Sequence, residues 1–260
     1  MQEEIVVKAP TTEALTPAQI TQKAEDLGVT KTEMSFGRSF ALSIMAGAFI
    51  AMGAMFFSLV VGDPALHFAI QRVLGGFLFC LGLILVVVAG AELFTGNTMI
   101  VMTAASKRIK WSAVWKNWIV VFFGNFLGAL VIVGLVFLSD MSAMNGGQVG
   151  QTMVSVAAGK MHADWLVLFA KGIMCNFLVC LGVWMAYASK TVADKILAVV
   201  FPITTFVACG FEHCVANMFF LPMGALLASC GIAPAGIDPA SVNMLGALYN
   251  WSATVPGNIV

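Results

Sequence analysis

A histidine and a glutamate lie side by side in the middle of a long apolar stretch. Residues 196–237 are apolar except where Glu212 and His213 interrupt them. Ionisable side chains are costly in such surroundings and mark ion or proton paths. Because histidine changes charge near neutral pH, His213 could meet a small anion or hand it a proton. The alternative is a structural histidine that bonds to an interrupted backbone.

A second glutamate occupies a similar stretch, residues 73–106, which Glu92 alone interrupts. Each stretch is too long for one membrane helix and is predicted to break at its acidic residue. Both breaks read Gly-x-Glu with an asparagine five positions after the glutamate: Gly90, Glu92 and Asn97 correspond to Gly210, Glu212 and Asn217, 120 positions later. A carboxylate at a helix break can accept freed N–H groups, so the main role expected for these glutamates is to hold the turns.

The surroundings of these residues are those of a membrane. Sixty per cent of the chain is hydrophobic and 10% is charged, which is outside the range of soluble domains. Four runs have no charged residue, namely 39–62, 117–139, 172–189 and 239–260. Each is close to the ~20 residues that span a bilayer. The chain is therefore predicted to be an all-α integral membrane protein with the lipid bilayer as a partner. Its net charge of zero does not suggest a nucleic-acid partner.

The basic residues set the number of spans and their direction. Splitting 73–106 into two full spans would place the basic cluster 107–110 outside, against the positive-inside rule. Six spans with a cytoplasmic N-terminus leave Arg72, Lys160 and Lys171 on the outer side, with the lysines in loops. The predicted location is the cell (inner) membrane, with multiple spans.

With three spans in each half, an odd number, the two halves must cross the membrane in opposite directions. This is the plan of an inverted repeat, in which broken helices meet near the midplane and form a path. Here the second and fifth spans carry the breaks. The third span contains Phe123-Gly124-Asn125, which Pro256-Gly257-Asn258 in the sixth span echoes.

Two regions are expected along the chain. Residues 1–35 form a cytoplasmic segment with a short amphipathic helix that begins after Thr16 and stops near Gly28. Residues 36–260 form the transmembrane channel domain, whose last span reaches Val260 without a basic anchor and is expected to be truncated. The six cysteines show no metal-ligand spacing, so neither a metal nor a cofactor is predicted.

Five segments of the chain resemble the formate/nitrite transporter family. They are Phe77 to Leu85, Gly90 to Thr95, Lys116 to Asn125, Cys175 to Met185 and Gly210 to Met218. The resemblance covers about 36–260 in order and is greatest to the formate-channel branch, although Glu92 stands where those channels often have aspartate.

The resemblance implies an aquaporin-like protomer with its own pore, assembled as a homopentamer. By position it implies an outer constriction at Phe79 and Phe206 and an inner constriction at Leu83, Leu93, Phe94 and Val179. The residues implied to meet the anion between them are Thr95, Asn176 and His213, with Asn258 nearby and Lys160 in the outer vestibule.

The predicted function is therefore the passage of small monovalent anions, formate first, with His213 coupling passage to protons, and no enzymatic activity. Nitrite, hydrosulfide and related weak acids stay open as substrates. A neutral-solute channel of the aquaporin type is the alternative from another class; it should work without a titratable group at the midplane. A membrane enzyme or electron carrier would need paired ligands for haem or metal.

Overall fold

The computed structural model describes residues 15–260, so the first part of the predicted N-terminal segment lies outside the described residues. The described chain is all-helical. Its α-helices are α1 (Pro17–Glu33), α2 (Phe36–Val61), α3 (Phe68–Ala89), α4 (Phe94–Asn97), α5 (Val101–Ala105), α6 (Trp111–Leu138), α7 (Gln148–Met161), α8 (Trp165–Ala188), α9 (Val192–Ala208), α10 (Cys214–Ser229) and α11 (Met244–Ile259). Short 3₁₀ turns lie at Thr98–Ile100, Met141–Ala143 and Pro239–Ser241.

Within residues 15–260, four helices are long and apolar enough to cross a bilayer, namely α2, α3, α6 and α8. Helix α10 is apolar but shorter. Small residues allow these helices to approach closely: a Cβ at Gly47 would lie 1.9 Å from the carbonyl oxygen of Asn125, and one at Gly128 would lie 1.9 Å from that of Ile44. Close backbone approach through glycine is typical of helix pairs in membranes. It fixes α6 against α2.

The two helix breaks that the sequence predicts are present. Helix α3 ends at Ala89, Gly90 adopts a left-handed conformation (φ +71°), and residues 91–93 are not helical. Helix α9 ends at Ala208, Gly210 has φ +72°, and residues 211–213 are not helical. Glycine adopts positive φ without the strain that a Cβ would add. Each break thus turns at the glycine two positions before its glutamate.

Helix α10, which follows the second break, is almost completely buried. Its residues from Cys214 to Gly224 are all buried, and it packs against α2, α6, α7 and α11. The centre of the molecule is therefore built around the segment that carries His213.

Three local expectations are wrong. Gly28 does not end α1, which continues to Glu33, because Gly28 lies against the Thr103 side chain and its missing Cβ makes room for that contact. Lys160 lies in helix α7 and Lys171 in helix α8, so neither is a loop residue. The sequence of α7 has many small and polar residues and lacks the strong apolar signal by which the spans were recognised.

Candidate functional site

The first break is held by a network around Glu92. The Asn97 amide donates to Glu92 Oε2 at 2.7 Å and to Asn117 Oδ1 at 2.9 Å. Lys31 on α1 donates to Glu92 Oε1 at 2.6 Å, and the Asn117 amide donates to the Lys31 carbonyl at 3.3 Å. The backbone N–H of Glu92 donates to the carbonyl of Leu42 at 3.2 Å. Every polar group of this buried carboxylate therefore has a partner, as burial requires.

The second break repeats this network with different residues. The Asn217 amide donates to Glu212 Oε2 at 2.7 Å and to Asn250 Oδ1 at 2.8 Å. Lys160 donates to Glu212 Oε1 at 3.0 Å, and the Asn250 amide donates to the Lys160 carbonyl at 3.0 Å. The backbone N–H of Glu212 donates to the carbonyl of Lys171 at 3.2 Å. Helices α1 and α7, which supply Lys31 and Lys160, occupy corresponding places in the two networks.

The networks differ at the side-chain oxygens of Asn97 and Asn217. Lys31 also reaches Asn97 Oδ1 at 2.9 Å. Among residues 15–260, the corresponding Asn217 Oδ1 is buried and has no hydrogen-bond partner. The second break therefore keeps a free acceptor that the first break does not have.

Two further asparagines fasten the breaks to the neighbouring helices. The Asn125 side chain accepts from the N–H of Phe94 at 2.9 Å and donates to the carbonyl of Glu92 at 2.9 Å. The Asn258 side chain accepts from the N–H of Cys214 at 2.8 Å and donates to the carbonyl of Glu212 at 2.8 Å. Both side chains are fully buried. Asn258, which the resemblance placed near the anion, thus binds the broken backbone through its amide.

His213 is the N-cap of α10. Its Nδ1 accepts from the backbone N–H of Ala216 at 2.9 Å, and its Nε2 lies 2.9 Å from Thr95 Oγ1. Since an amide N–H can only donate, Nδ1 has no proton in this arrangement. A neutral ring then carries its proton on Nε2 and donates it to Thr95. The two halves of the chain therefore meet at this bond, since Thr95 belongs to the first break and His213 to the second.

Asn176 on α8 lies next to this meeting point. Its amide donates to Thr98 Oγ1 at 2.9 Å and to the carbonyl of Asn258. Within the described chain its buried Oδ1 has no partner. An unpaired buried acceptor is costly, so this oxygen is available to a donor that enters the site.

A cavity of about 290 Å³, here called the Lys160 cavity, opens on one side of His213. Phe79 and Phe206 both line it, and their rings meet edge to face at 5.7 Å. The Phe206 ring in turn stacks on the His213 ring at 5.7 Å. The charged residues on the described wall of the Lys160 cavity are Arg72, Lys160, Lys171 and Glu212, a formal charge of +2.

A second cavity of about 330 Å³, the Lys31 cavity, lies against the first break, with Gly90 and Glu92 in its wall. Leu83 and Leu93 line it. Phe79 and Leu83 are one turn apart on α3, about 6 Å of helix rise, so the two cavities approach each other closely along this helix. The charged residues on the described wall of this cavity are Lys23, Lys31, Lys195 and Glu92, again a formal charge of +2.

The remaining predicted pore residues lie beside these cavities. Val179 is buried on α8, and Val183, one turn further, lines the Lys31 cavity. Phe94 is buried as well, and its ring packs against Trp118 and Phe122 of α6. Neither Val179 nor Phe94 is part of the described wall of either cavity.

Sequence reasoning missed several residues of this site. Asn117, Asn250 and Lys31 complete the networks at the breaks, and Arg72 and Lys195 add charge to the cavities. One signal could have found the asparagines: each is a buried polar residue of an apolar helix, eight positions before the Asn of the third or sixth span.

Apolar helices, two interrupted helices meeting at a histidine, and a charged cavity at each break define a multi-pass membrane transport protein. The family model for the formate/nitrite transporter matches residues 18–260. The chain belongs to this family, whose members transport rather than catalyse, and the resemblance seen in the sequence is confirmed.

Individual relatives agree with this assignment. The chain is 41% identical to the formate channel FocA of Haemophilus influenzae over 216 residues, which is 83% of this chain and 76% of that protein. It is 41% identical to FocA of Escherichia coli K12 over 214 residues, 82% of this chain and 75% of that protein. Among solved structures it resembles a pentameric formate channel with formate bound, with a TM-score of 0.78 and 35% identity over 86% of this chain and 91% of the other.

Proposed function

We propose that each protomer passes small monovalent anions, formate first, between the Lys160 cavity and the Lys31 cavity. The observation that carries this proposal is the formal charge of +2 on the described wall of each cavity, on either side of a short apolar barrier. Walls of one sign in a low-dielectric cleft concentrate ions of the opposite sign. The names of the FocA relatives and of the solved channel support formate as the anion.

The proposed architecture has six spans, in two inverted halves of three, as in aquaporins. The first half consists of α2, then α3 continued by α4 and α5, then α6; the second consists of α8, then α9 continued by α10, then α11. The repeated networks around Glu92 and Glu212 support this plan. The Lys31 cavity is cytoplasmic and the Lys160 cavity external, so residues 1–35 are cytoplasmic and 36–260 form the channel.

The barrier between the cavities consists of apolar side chains. Phe79 and Phe206 narrow the outer side, and Leu83 and Leu93, backed by Phe94 and Val179, narrow the inner side. An anion crossing this barrier would lose most of its hydration, at a cost of several kcal/mol. Since the Nε2–H of His213 donates to Thr95 Oγ1, the hydroxyl hydrogen of Thr95 is the donor left to offset this loss, with Asn176 beside it.

The proposal includes proton coupling at His213. To hand over a proton, the ring must first be protonated on both nitrogens, and a protonated Nδ1 cannot accept from Ala216. Each handover therefore opens the cap bond at the start of α10, which costs about 1 kcal/mol. In the capped state His213 acts on the anion only through Thr95, whose hydroxyl oxygen accepts the Nε2–H and whose hydroxyl hydrogen is free to donate.

The cavity charges speak against the neutral-solute alternative, because a neutral molecule gains nothing from a net positive charge on both sides. The same proposal includes nitrite and hydrosulfide as further substrates.

The proposed assembly is a homopentamer, which the solved pentameric formate channel supports. Native mass spectrometry in mild detergent should show five chains, and a monomer with full transport would exclude the pentamer as a requirement.

The test uses purified protein in liposomes, with uptake of formate, nitrite and hydrosulfide measured side by side at low and high salt. The variant Lys171→Gln/Lys195→Gln removes one charge from each cavity without unpairing a buried glutamate. Formate uptake at low salt should fall several-fold, and salt should affect the variant less than the wild type. The matched control Lys110→Gln/Lys116→Gln removes two charges outside the described cavity walls and should match the wild type. Equal uptake by both double variants would contradict the proposal.

A further inference from the structure

The guanidinium of Arg72 is fixed in place by the end of a neighbouring helix. Its Nε donates to the carbonyl of Ala208 at 3.0 Å and its Nη2 to that of Val207 at 2.8 Å, both in the last turn of α9. A Cβ at Gly210 would lie 3.1 Å from Nη2, so the glycine at the second break also makes room for this group. The Phe57 ring lies 5.9 Å from its Cζ. Arg72 is thus a rigid wall of the Lys160 cavity.

These contacts leave part of the guanidinium free. Arginine has five N–H donors, and only two are used here, so both hydrogens of Nη1 and one of Nη2 have no partner among residues 15–260. No carboxylate of the described chain lies within ion-pair distance of Arg72, whereas Lys160 is paired with Glu212 at 3.0 Å. The charge of Arg72 is therefore less compensated than that of Lys160.

We propose that Arg72 is the residue that selects planar, two-oxygen anions of the carboxylate class at the Lys160 cavity. The free Nη1 and Nη2 hydrogens form a fork that matches two oxygens on one atom, as in formate, and a bidentate pair is stronger and more directional than a contact with a point charge. Hydrosulfide presents one acceptor atom and gains nothing from the fork. This inference rests on the proposed anion passage and adds a specificity residue to it.

A purely structural role for Arg72 is the competing explanation, since a cation at the C-terminus of α9 offsets the partial negative charge of the helix end. The substitution Arg72→Lys separates the two roles. Lysine keeps a positive charge that can reach the same carbonyls but has no planar fork. Thermal stability of the purified variant reports whether the helix end is intact.

The experiment measures the half-saturating external concentrations of formate and of hydrosulfide in proteoliposomes of wild type and Arg72→Lys. We expect the value for formate to rise about three- to tenfold, a loss of about 1 kcal/mol, and that for hydrosulfide to change less than twofold. The matched control Lys171→Gln, which removes charge from the same cavity, should weaken both anions by similar factors. An unchanged formate-to-hydrosulfide ratio in a stable Arg72→Lys protein would overturn the proposal.

A binding measurement keeps this inference separate from the proposed function. Formate that binds the folded protein should raise its melting temperature in detergent, and Arg72→Lys should lose most of that shift. If liposomes with wild-type protein take up no more formate than protein-free liposomes, the proposed function fails. The formate-induced shift in melting temperature still decides for or against the Arg72 site. No formate shift in the wild type, or an equal shift in both proteins, would contradict the site itself.

Discussion

At the scale of single residues, His213 performs two tasks with its two ring nitrogens. Nδ1 caps α10 through the N–H of Ala216, and Nε2 lies 2.9 Å from Thr95 Oγ1. The cap explains why a polar ring sits at this buried position. It also means that a proton cannot be taken up here without a local structural change.

The substitution His213→Asn separates these tasks. Asparagine is a good N-cap, because its side-chain oxygen can accept from Ala216, so the protein should fold. It cannot take up a proton, so formate uptake should lose its dependence on external pH, and the proton uptake that accompanies formate should disappear. Both are measured together in liposomes that contain a pH-sensitive dye. Unchanged proton uptake in the variant would exclude His213 as the proton donor.

The buried asparagines at the breaks lead to a stability prediction. In Asn258→Leu, the N–H of Cys214 and the carbonyls of Gly172 and Glu212 lose their partner. Each buried group left unpaired costs about 1–3 kcal/mol, so the melting temperature in detergent should fall strongly. Asn125→Leu should behave alike, since it removes the corresponding bonds of the first break.

The exposed Ser229 provides the control for this pair. Ser229→Ala should change the free energy of unfolding by less than about 0.5 kcal/mol. Asparagine variants as stable as Ser229→Ala would show that the breaks are held by other contacts.

A site residue could be predicted from the sequence when it belongs to a short motif that occurs in both halves of the chain. Glu92 and Glu212, with Asn97 and Asn217, were found because a motif of only eight positions occurs twice, 120 positions apart. Lys31 was missed as a site residue because its partner Glu92 lies 61 positions away, a distance that no local pattern spans. Arg72 was counted only as an outer charge, because its bonds to the end of α9 depend on the packing of α3 against α9.

At the scale of elements, α1 is held to the rest of the molecule by charge. Arg108 donates to Asp26 Oδ1 at 2.7 Å, and Lys31 donates to Glu92. Residues of α1, among them Lys23 and Leu27, line the Lys31 cavity. The placement of α1 therefore controls the shape of this cavity.

The pKa of Asp26 makes this contact dependent on pH. The hydrogen bond from Arg108, with a second from Gln22, lowers the pKa of Asp26 below its ordinary value of 3.8. A lowered folded-state pKa stabilises the docked helix above pH 3.8, and that contribution is lost as pH falls through the lowered value. Hydrogen exchange of the α1 amides, corrected for its intrinsic pH dependence, should therefore speed up below about pH 4.

The control for this pH effect is Asp26→Asn, which has no titrating group at this position. Its α1 amides should exchange faster than those of the wild type at pH 6, and the difference should shrink as the pH falls through the lowered pKa of Asp26 in the wild type. If both proteins respond to acid in the same way, the pair between Asp26 and Arg108 does not hold α1.

A helix could be predicted from the sequence where a long apolar run determines it. The runs 39–62, 117–139 and 172–189 lie within or largely within α2, α6 and α8, and the breaks were found from their glycines and glutamates. Helix α7 was missed because it is rich in small and polar residues, and its buried face comes from its packing against α10, α2 and α11. The correspondence between α1 and α7 became visible only through Lys31 and Lys160.

At the scale of the whole molecule, we propose that two cavities of net positive charge face each other across an apolar barrier. Each half of the chain supplies one broken segment, and the two segments meet at the bond between Thr95 and His213. In this proposal, the arrangement attracts anions from both sides and resists other solutes in between.

The most direct test of this account compares formate with glycerol, a neutral solute of small size, in the same proteoliposomes at neutral pH. Stopped-flow light scattering measures the entry of both solutes against protein-free liposomes. We predict that formate enters much faster than into protein-free liposomes, while glycerol enters at the protein-free rate. Glycerol entry as fast as formate entry, or formate entry no faster than through lipid alone, would contradict the account.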